Sequence, residues 1–201
     1  MPVVSNTSPI WNLASIKKLY LIHEQFSDVL IPDEVLAELR VGYDYPAMVE
    51  IQRALDEKWL RIEHLNNQHL KQSLMLELDS GEAAAIALAI ELGVPRIMID
   101  EADGRATAKT MGLQPTGVLG ILLRAKNEGK IISLLDELLK LRHESGFFIA
   151  KLGLIPRPLG RCNAFKIPRR LRRGSSLLKH YFNEYCGKLG KYDSDKQHTS
   201  H

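Results

Sequence analysis

Polar side chains with oxygen atoms recur where short apolar segments of the chain turn into helices. Asn6 follows the first such segment, Glu82 lies at the second helix start, and Asp100 and Asp103 follow the third. The three segments are Val3–Pro9, Leu78–Ala84 and Ile97–Arg105. Open α/β sheets place their ligand sites at the carboxyl ends of the strands. Oxygen ligands gathered there suit a hard divalent cation such as Mg²⁺, so the spacing predicts a metal site.

These candidates also have a structural interpretation, because polar residues are strongly preferred at helix starts. Asn6 is placed to N-cap the first helix. Glu82 lies three residues after Asp79, which makes a pair similar to a capping box, and Asp100 and Asp103 stand in the same relation. Both interpretations remain open for each residue taken alone.

Glu38 is a fifth candidate, on a helix predicted from Asp33 to Arg40. It lies one turn after Glu34, so it also fits a plain solvated helix surface. The other four candidates all fall at predicted junctions between a strand and a helix. That clustering exceeds what helix capping alone requires, and it favours a common site.

Apolar patterning predicts strands that alternate with helices along residues 1–150. The helix Ser80–Leu92 gives the strongest signal: it is small and apolar on most sides, so we expect it to be buried against a sheet. Strands are predicted at 2–5, 28–31, 59–63, 96–99 and 113–116, and helices at 8–18, 19–26, 33–40, 47–58, 101–111, 117–128 and 132–143, with 64–78 less clear. This alternation predicts an α/β fold with a mostly parallel sheet covered by helices on both faces.

Charge divides the 201-residue chain into an acidic body and a basic tail. Residues 1–150 carry 15 Lys+Arg and 21 Asp+Glu, whereas residues 151–201 carry 12 and 3. This split suggests an anionic partner, nucleic acid before membrane. The two cysteines, the absence of a signal-peptide pattern and the absence of a long apolar segment predict a cytoplasmic protein.

The tail from residue 151 onward is rich in turns and positive charge, and part of it is expected to be disordered. Its densest basic run contains Arg169, Arg170, Arg172 and Arg173, which are candidate phosphate contacts. A nucleic-acid-binding extension, a charged unstructured segment and the product of a shifted reading frame all remain open for this tail.

The order of motifs along residues 2–150 resembles the PIN-domain nucleases, in particular a VapC-like toxin subgroup. The matching segments are Val4–Pro9, Val29–Pro32 followed by Val35–Leu39, Gly81–Ala89, Ile99–Arg105 and Thr116–Lys126. The resemblance implies a three-layer α/β/α PIN-like domain at 1–150. It also implies an endoribonuclease dependent on Mg²⁺ or Mn²⁺, which hydrolyses RNA phosphodiesters and is commonly the toxin of a toxin–antitoxin pair.

The resemblance also assigns roles to individual positions. Glu38, Glu82 and Asp100 match the family's acidic residues and are the implied catalytic and metal-binding residues, and Asp103 matches a less regular extra carboxylate. Asn6 stands where the family usually has its first aspartate. It departs from the pattern because it offers one neutral carbonyl oxygen instead of a charged carboxylate.

RNA, a small antitoxin and a second copy of the chain are the implied partners. Arg105 and Lys109 share a helix face suited to the RNA backbone, although an ion pair with Glu101 is an equal alternative for Arg105. The apolar helices near residues 8–26 are a candidate homodimer interface. The competing function is a PIN-like module that binds RNA or protein without cleaving, which Asn6 favours. A phosphatase of the haloacid dehalogenase type is set aside, because Asn6 and Ser8 occupy its two aspartate positions.

Overall fold

A parallel sheet organises the part of the chain that the structure describes. The computed structural model describes residues 1–41 and 45–145. In these ranges five strands pair in the order β3-β2-β1-β4-β5, and every pairing is parallel. The strands are β1 (Val3–Ser5), β2 (Val29–Pro32), β3 (Leu60–Glu63), β4 (Arg96–Met98) and β5 (Gln114–Thr116).

Helices connect the strands and cover both faces of the sheet. In the described ranges they are α1 (Thr7–Ser15), α2 (Tyr20–Gln25), α3 (Asp33–Val41), α4 (Ala47–Asp56), α5 (Gln68–Leu74), α6 (Ser80–Glu91), α7 (Ala102–Thr110), α8 (Val118–Asn127) and α9 (Leu134–Glu144). Alternate strand residues enter two separate cores: Val3 and Val29 pack with one, and Val4 and Leu30 with the other. This is the three-layer α/β/α arrangement that the sequence predicts.

The strand order reverses between β1 and β4, which are neighbours in the sheet. From β1 the chain proceeds outward through β2 and β3, and then returns to the other side of β1 for β4 and β5. A crevice at the carboxyl ends of two such strands is the usual ligand site of an open α/β sheet. Asn6 directly follows β1, and Asp100 comes two residues after β4.

Helix α6 is buried along most of its length, as its composition predicts. Asp79 caps it by accepting a hydrogen bond from the Glu82 amide at 2.8 Å, and Gly81 through Ala89 are all buried. Gly93, with φ at +64°, follows the end of the helix. Because small residues let α6 lie close against the sheet, Glu82 is held in the protein interior.

Strand and helix positions agree with the sequence prediction to within a few residues, and the less clear region 64–78 contains α5. The suggested dimer interface at residues 8–26 needs correction. Ile10, Leu13, Leu21 and Ile22 are completely buried in the core of the same chain, so these side chains do not form an exposed apolar face. In the part of the chain that the structure describes, no helix has the length and apolarity to cross a membrane.

Candidate metal centre

Asn6 places an unsatisfied oxygen atom at the carboxyl end of β1. The residue is 3% exposed, and its Oδ1 atom has no hydrogen-bond partner among the described residues. It occupies the N-cap position of α1, yet its side chain makes no capping hydrogen bond. The capping interpretation is therefore not realised. Buried polar atoms are nearly always paired, so this orphan oxygen fits a ligand that the protein binds.

Glu82 belongs to a compact group of three carboxylates. Asp79, Glu82 and Glu101 each offer one oxygen, and these oxygens lie within 4.8 Å of one another. Glu82 is 2% exposed and its carboxylate lies against Gly104, where a Cβ atom would be 2.7 Å from Glu82 Oε1. Close approach of α7 to Glu82 thus depends on a residue without a side chain.

Glu38 is held beside the start of α6. Thr7 Oγ1 donates a hydrogen bond to Glu38 Oε2, and a Cβ atom on Gly81 would lie 2.7 Å from Glu38 Oε1. Burial, with repulsion from Asp79 as a smaller cause, raises the pKa of Glu38 to about 7, although the Thr7 hydrogen bond acts in the opposite direction. Glu38 is therefore not the plain solvated surface that was its alternative. A neighbouring cation would favour its charged form.

Asp100 is oriented by the start of α8. Its Oδ1 atom accepts a hydrogen bond from the Val118 amide at 2.8 Å, and its Oδ2 atom is 3.5 Å from the Asn12 amide nitrogen. Burial raises the pKa of Asp100, while the Val118 bond, the Asn12 bond and the charge of Arg105 lower it. Gly117 leaves room for this carboxylate, because a Cβ atom there would collide with Oδ1. Asp100 therefore does not cap α7, whose N-cap residue is Glu101.

The group of three carboxylates overlaps the sequence-predicted ligands in Glu82 alone. Glu38, Asp100 and Asp103 lie outside it, although Glu38 adjoins the first turn of α6 and Asp100 directly precedes Glu101 in the chain. The acidic residues thus follow one another along the same edge of the sheet. Asp103 is exposed in the first turn of α7.

Asp79 and Glu101 are the site residues that sequence reasoning missed. Asp79 is interpreted from the sequence as a helix cap, and the structure shows that one of its oxygens does serve that purpose. Glu101 is considered only as a partner of Arg105. The available signal was its position directly after Asp100 at a strand end, where both side chains can lie near the same edge.

Of the predicted RNA contacts, Arg105 and Lys109 are both exposed on α7. The charge of Arg105 acts on Asp100, which places it near the acidic edge. Arg169, Arg170, Arg172 and Arg173 lie outside the described residues.

The donor set fits a hard divalent cation. It consists of carboxylate oxygens and one amide oxygen, without thiolate or imidazole, and Mg²⁺ and Mn²⁺ prefer such ligands. A bound cation would give the orphaned Asn6 oxygen a partner and would favour the charged forms of Glu38 and Asp100, whose pKa values are raised by burial.

One comparison with known proteins bears on this site. Residues 2–154 match a family model described as PIN domain, which covers the whole sheet and all of the candidate ligands. No curated protein and no solved structure matches the chain.

Proposed function

The chain belongs to the PIN-domain family, and from this premise we propose that it is a metal-dependent endoribonuclease that hydrolyses RNA phosphodiester bonds. PIN domains are generally metal-dependent nucleases. The chain has the nuclease-type fold and an acidic cluster compatible with a divalent metal.

The observation that carries the proposal is the buried Asn6 oxygen. It has no partner among the described residues, and it lies at the strand end that adjoins the β1–β4 crevice. A protein that only needed to cap α1 would use this side chain in a capping bond. A protein that binds a cation gains from leaving the oxygen available.

Glu38, Glu82 and Asp100 are the proposed catalytic acids, and with Asn6 and Asp103 they are the proposed ligands. Asp79 and Glu101 extend this set through their proximity to Glu82. A bound Mg²⁺ or Mn²⁺ would supply Lewis acidity toward the phosphate and a lowered pKa for attacking water. Without a metal ion the pKa of Glu38 is raised to about 7, and a bound cation would favour the charged form of Glu38 that acts as a ligand.

Other residues of the chain position these groups. Thr7 fixes Glu38 through its hydroxyl, and the Val118 amide fixes one oxygen of Asp100. Arg105, whose charge acts on Asp100, is proposed to contact an RNA phosphate, and so is Lys109, which lies one turn further along α7. The tail arginines Arg169, Arg170, Arg172 and Arg173 are proposed to add affinity for RNA that does not depend on sequence.

Cleavage of a mixed RNA by the full chain tests the proposal. We expect cutting with Mg²⁺ or Mn²⁺, none with a chelator, and a loss of about 100-fold or more for Glu82→Gln, since even indirect metal contacts are worth roughly 10–100-fold. Glu91→Gln is the matched control, because Glu91 lies at the other end of α6 and binds Asn66 and Asn67. Cutting that persists equally in Glu82→Gln or in chelator would refute the proposal.

A non-cleaving PIN-like module that binds RNA or protein is the second candidate. Asn6 favours it, because a neutral oxygen attracts a cation less than the family's usual aspartate does. The same assay separates the two functions: folded protein that binds RNA but never cuts it with either metal supports the module.

We further propose that the protein acts in the cytoplasm as the toxin of a toxin–antitoxin pair, neutralised by a small antitoxin protein, and that it forms a homodimer. The resemblance to VapC-like toxins supports this role. Expression in a bacterial host should arrest growth for the wild type and not for Glu82→Gln. Equal growth of both strains would count against a toxin.

A further inference from the structure

An open groove lies beside β5, the edge strand on the β4 side of the sheet. Its volume is about 260 Å³. It is lined by the end of α2, by the start of β4, by β5 and by one face of α8. The lining residues are Gln25, Phe26, Arg96, Gln114, Pro115, Thr116, Gly120, Ile121 and Arg124.

The groove is positively charged although the domain around it is acidic. Arg96 and Arg124 both line it, and its lining, as the described residues define it, includes no carboxylate. Arg124 donates to Glu128 at 3.0 Å, on the exposed side of α8. No carboxylate of the described residues forms an ion pair with Arg96. A partly buried arginine that pairs with no described carboxylate leaves its positive charge available to an anionic ligand.

Neighbouring contacts hold the groove in shape. The Arg96 guanidinium lies 5.9 Å from the centre of the Phe26 ring, a cation–π distance that restricts its motion. Gln25 Nε2 donates to the Ile121 carbonyl oxygen at 2.9 Å and thereby ties α2 to α8 across the groove. Preorganised donors of this kind lose less entropy when they bind a ligand.

The groove also reaches the edge of the sheet where the metal centre lies. Thr116 is part of its lining and is the last residue of β5. Gly117 follows, and it lies directly against the Asp100 carboxylate. Arg96 and Gln114 begin β4 and β5, so the groove extends along β5 from the opposite edge of the sheet to Thr116. An RNA strand with one phosphate at the acidic edge would have to follow β5 to reach the two arginines of the groove.

We propose that this groove binds a phosphate group of the RNA strand, outside the bond that is cut. The inference rests on the proposed nuclease function and adds a substrate-binding site to it. Guanidinium groups bind phosphate oxygens in a bidentate geometry, and the Gln25 and Gln114 amides can contact the sugar or a base. The groove contributes affinity and strand direction, whereas the acidic edge carries out the chemistry.

Binding of a single-stranded RNA to the full chain in chelator tests the groove without cleavage. The double variant Arg96→Gln/Arg124→Gln should bind roughly tenfold more weakly per lost contact. The slope of log affinity against log salt should become shallower by about 0.7 for each lost contact. Arg53→Gln is the matched control, because Arg53 is an exposed arginine on α4 that pairs with Glu50 at 3.6 Å. It should leave both affinity and slope unchanged.

Two single variants, Arg96→Lys and Arg124→Gln, test whether the double variant loses RNA binding only because its fold is disturbed. Arg96→Lys keeps the charge, so RNA binding should fall less than in Arg96→Gln, and Arg124 is exposed enough for its replacement to leave the fold intact. Thermal stability lost without any change in RNA affinity or salt slope would overturn the proposal. So would competition by inorganic phosphate for the groove without any loss of RNA binding in the double variant. RNA that binds through the groove but is cut with neither Mg²⁺ nor Mn²⁺ would instead contradict the nuclease function alone.

Discussion

Two glutamates of the domain illustrate opposite ways of holding a carboxylate. Glu91, at the end of α6, accepts hydrogen bonds from the Asn66 side chain at 2.7 Å and from the Asn67 amide at 2.8 Å. These bonds lower the pKa of Glu91. Glu38 lies on α3, beside the start of α6, where it is partly buried near Asp79, and this burial raises its pKa to about 7.

The difference separates a structural carboxylate from one suited to a ligand. Glu91 pins the loop after β3 to α6, and its charge is stabilised by donors of the protein. Glu38 has the Thr7 hydroxyl and the Gly81 amide as donors, which do not offset its burial. An environment that leaves a carboxylate short of donors stabilises the fold poorly but attracts a cation strongly, and perturbed groups of this kind cluster at functional sites.

The largest effect of a substitution is expected from filling the space beside Glu82, which lies at the same end of α6 as Glu38. Gly104→Ala puts a Cβ atom 2.7 Å from Glu82 Oε1 and in collision with Ile99 Cδ1. Replacing a glycine inside a helix by alanine normally stabilises the folded protein by about 1 kcal/mol. Here we expect a loss of roughly 1–3 kcal/mol in unfolding free energy, as for other overpacked sites. The rate of RNA cleavage, measured with Mg²⁺, should fall together with the unfolding free energy.

Ala106→Gly is the control on the same helix. Ala106 is exposed, so this change reports the helix propensity of α7 and should cost about 1 kcal/mol without altering cleavage. A Gly104→Ala variant that is more stable than the wild type and equally active would show that the carboxylate is not confined there.

A smaller effect is expected from Glu38, whose ionisation should make the unfolding free energy depend on pH. Its folded pKa, raised from 4.5 to about 7, means that the folded state binds this proton more tightly than the unfolded state does. In chelator, the Glu38 contribution to unfolding free energy should therefore fall between about pH 4.5 and pH 7 and then level off. The loss is at most about 3 kcal/mol by linkage.

Glu38→Gln removes the ionisation and should flatten this part of the profile, so that the variant is the more stable protein at pH 8. Urea unfolding of both proteins across pH 4–8 measures it. Parallel profiles would mean that Glu38 is as well solvated in the fold as it is in the unfolded chain.

The sequence is sufficient to predict the layers of the fold but not every contact of the site. Alternation of strands and helices predicts the parallel sheet, and the small residues of α6 predict its burial, because both depend on local periodicity. The strand-end positions of Asn6 and Asp100 follow from the same pattern. Contacts among Asp79, Glu82 and Glu101 do not, since they depend on how close α6 and α7 approach.

Burial likewise had to be seen in three dimensions. The apolar residues of α1 and α2 suggest an interface from the sequence, yet Ile10, Leu13, Leu21 and Ile22 fill the core of the same chain. An apolar helix face has the same sequence pattern whether it packs against a second copy of the chain or against the core of its own domain. Arg96 had no special signal either, because its groove brings α2 together with β4, β5 and α8, which come much later in the chain.

The smallest effect is expected at Glu91 and has the opposite sign to that at Glu38. Its lowered folded pKa means that its contribution to stability is complete above the unfolded pKa and is lost as pH falls through the folded pKa. Glu91→Gln should therefore be less stable than the wild type at pH 7, and this deficit should vanish in acid. Urea unfolding at pH 7 and pH 3 measures both values. Glu91→Gln would act like Glu38→Gln only if the two carboxylates had similar surroundings. If Glu91→Gln stabilised the protein at neutral pH, the two glutamates would differ in position but not in how the protein stabilises their charge. The opposite signs follow if protein donors satisfy the Glu91 carboxylate and leave the Glu38 carboxylate short of donors.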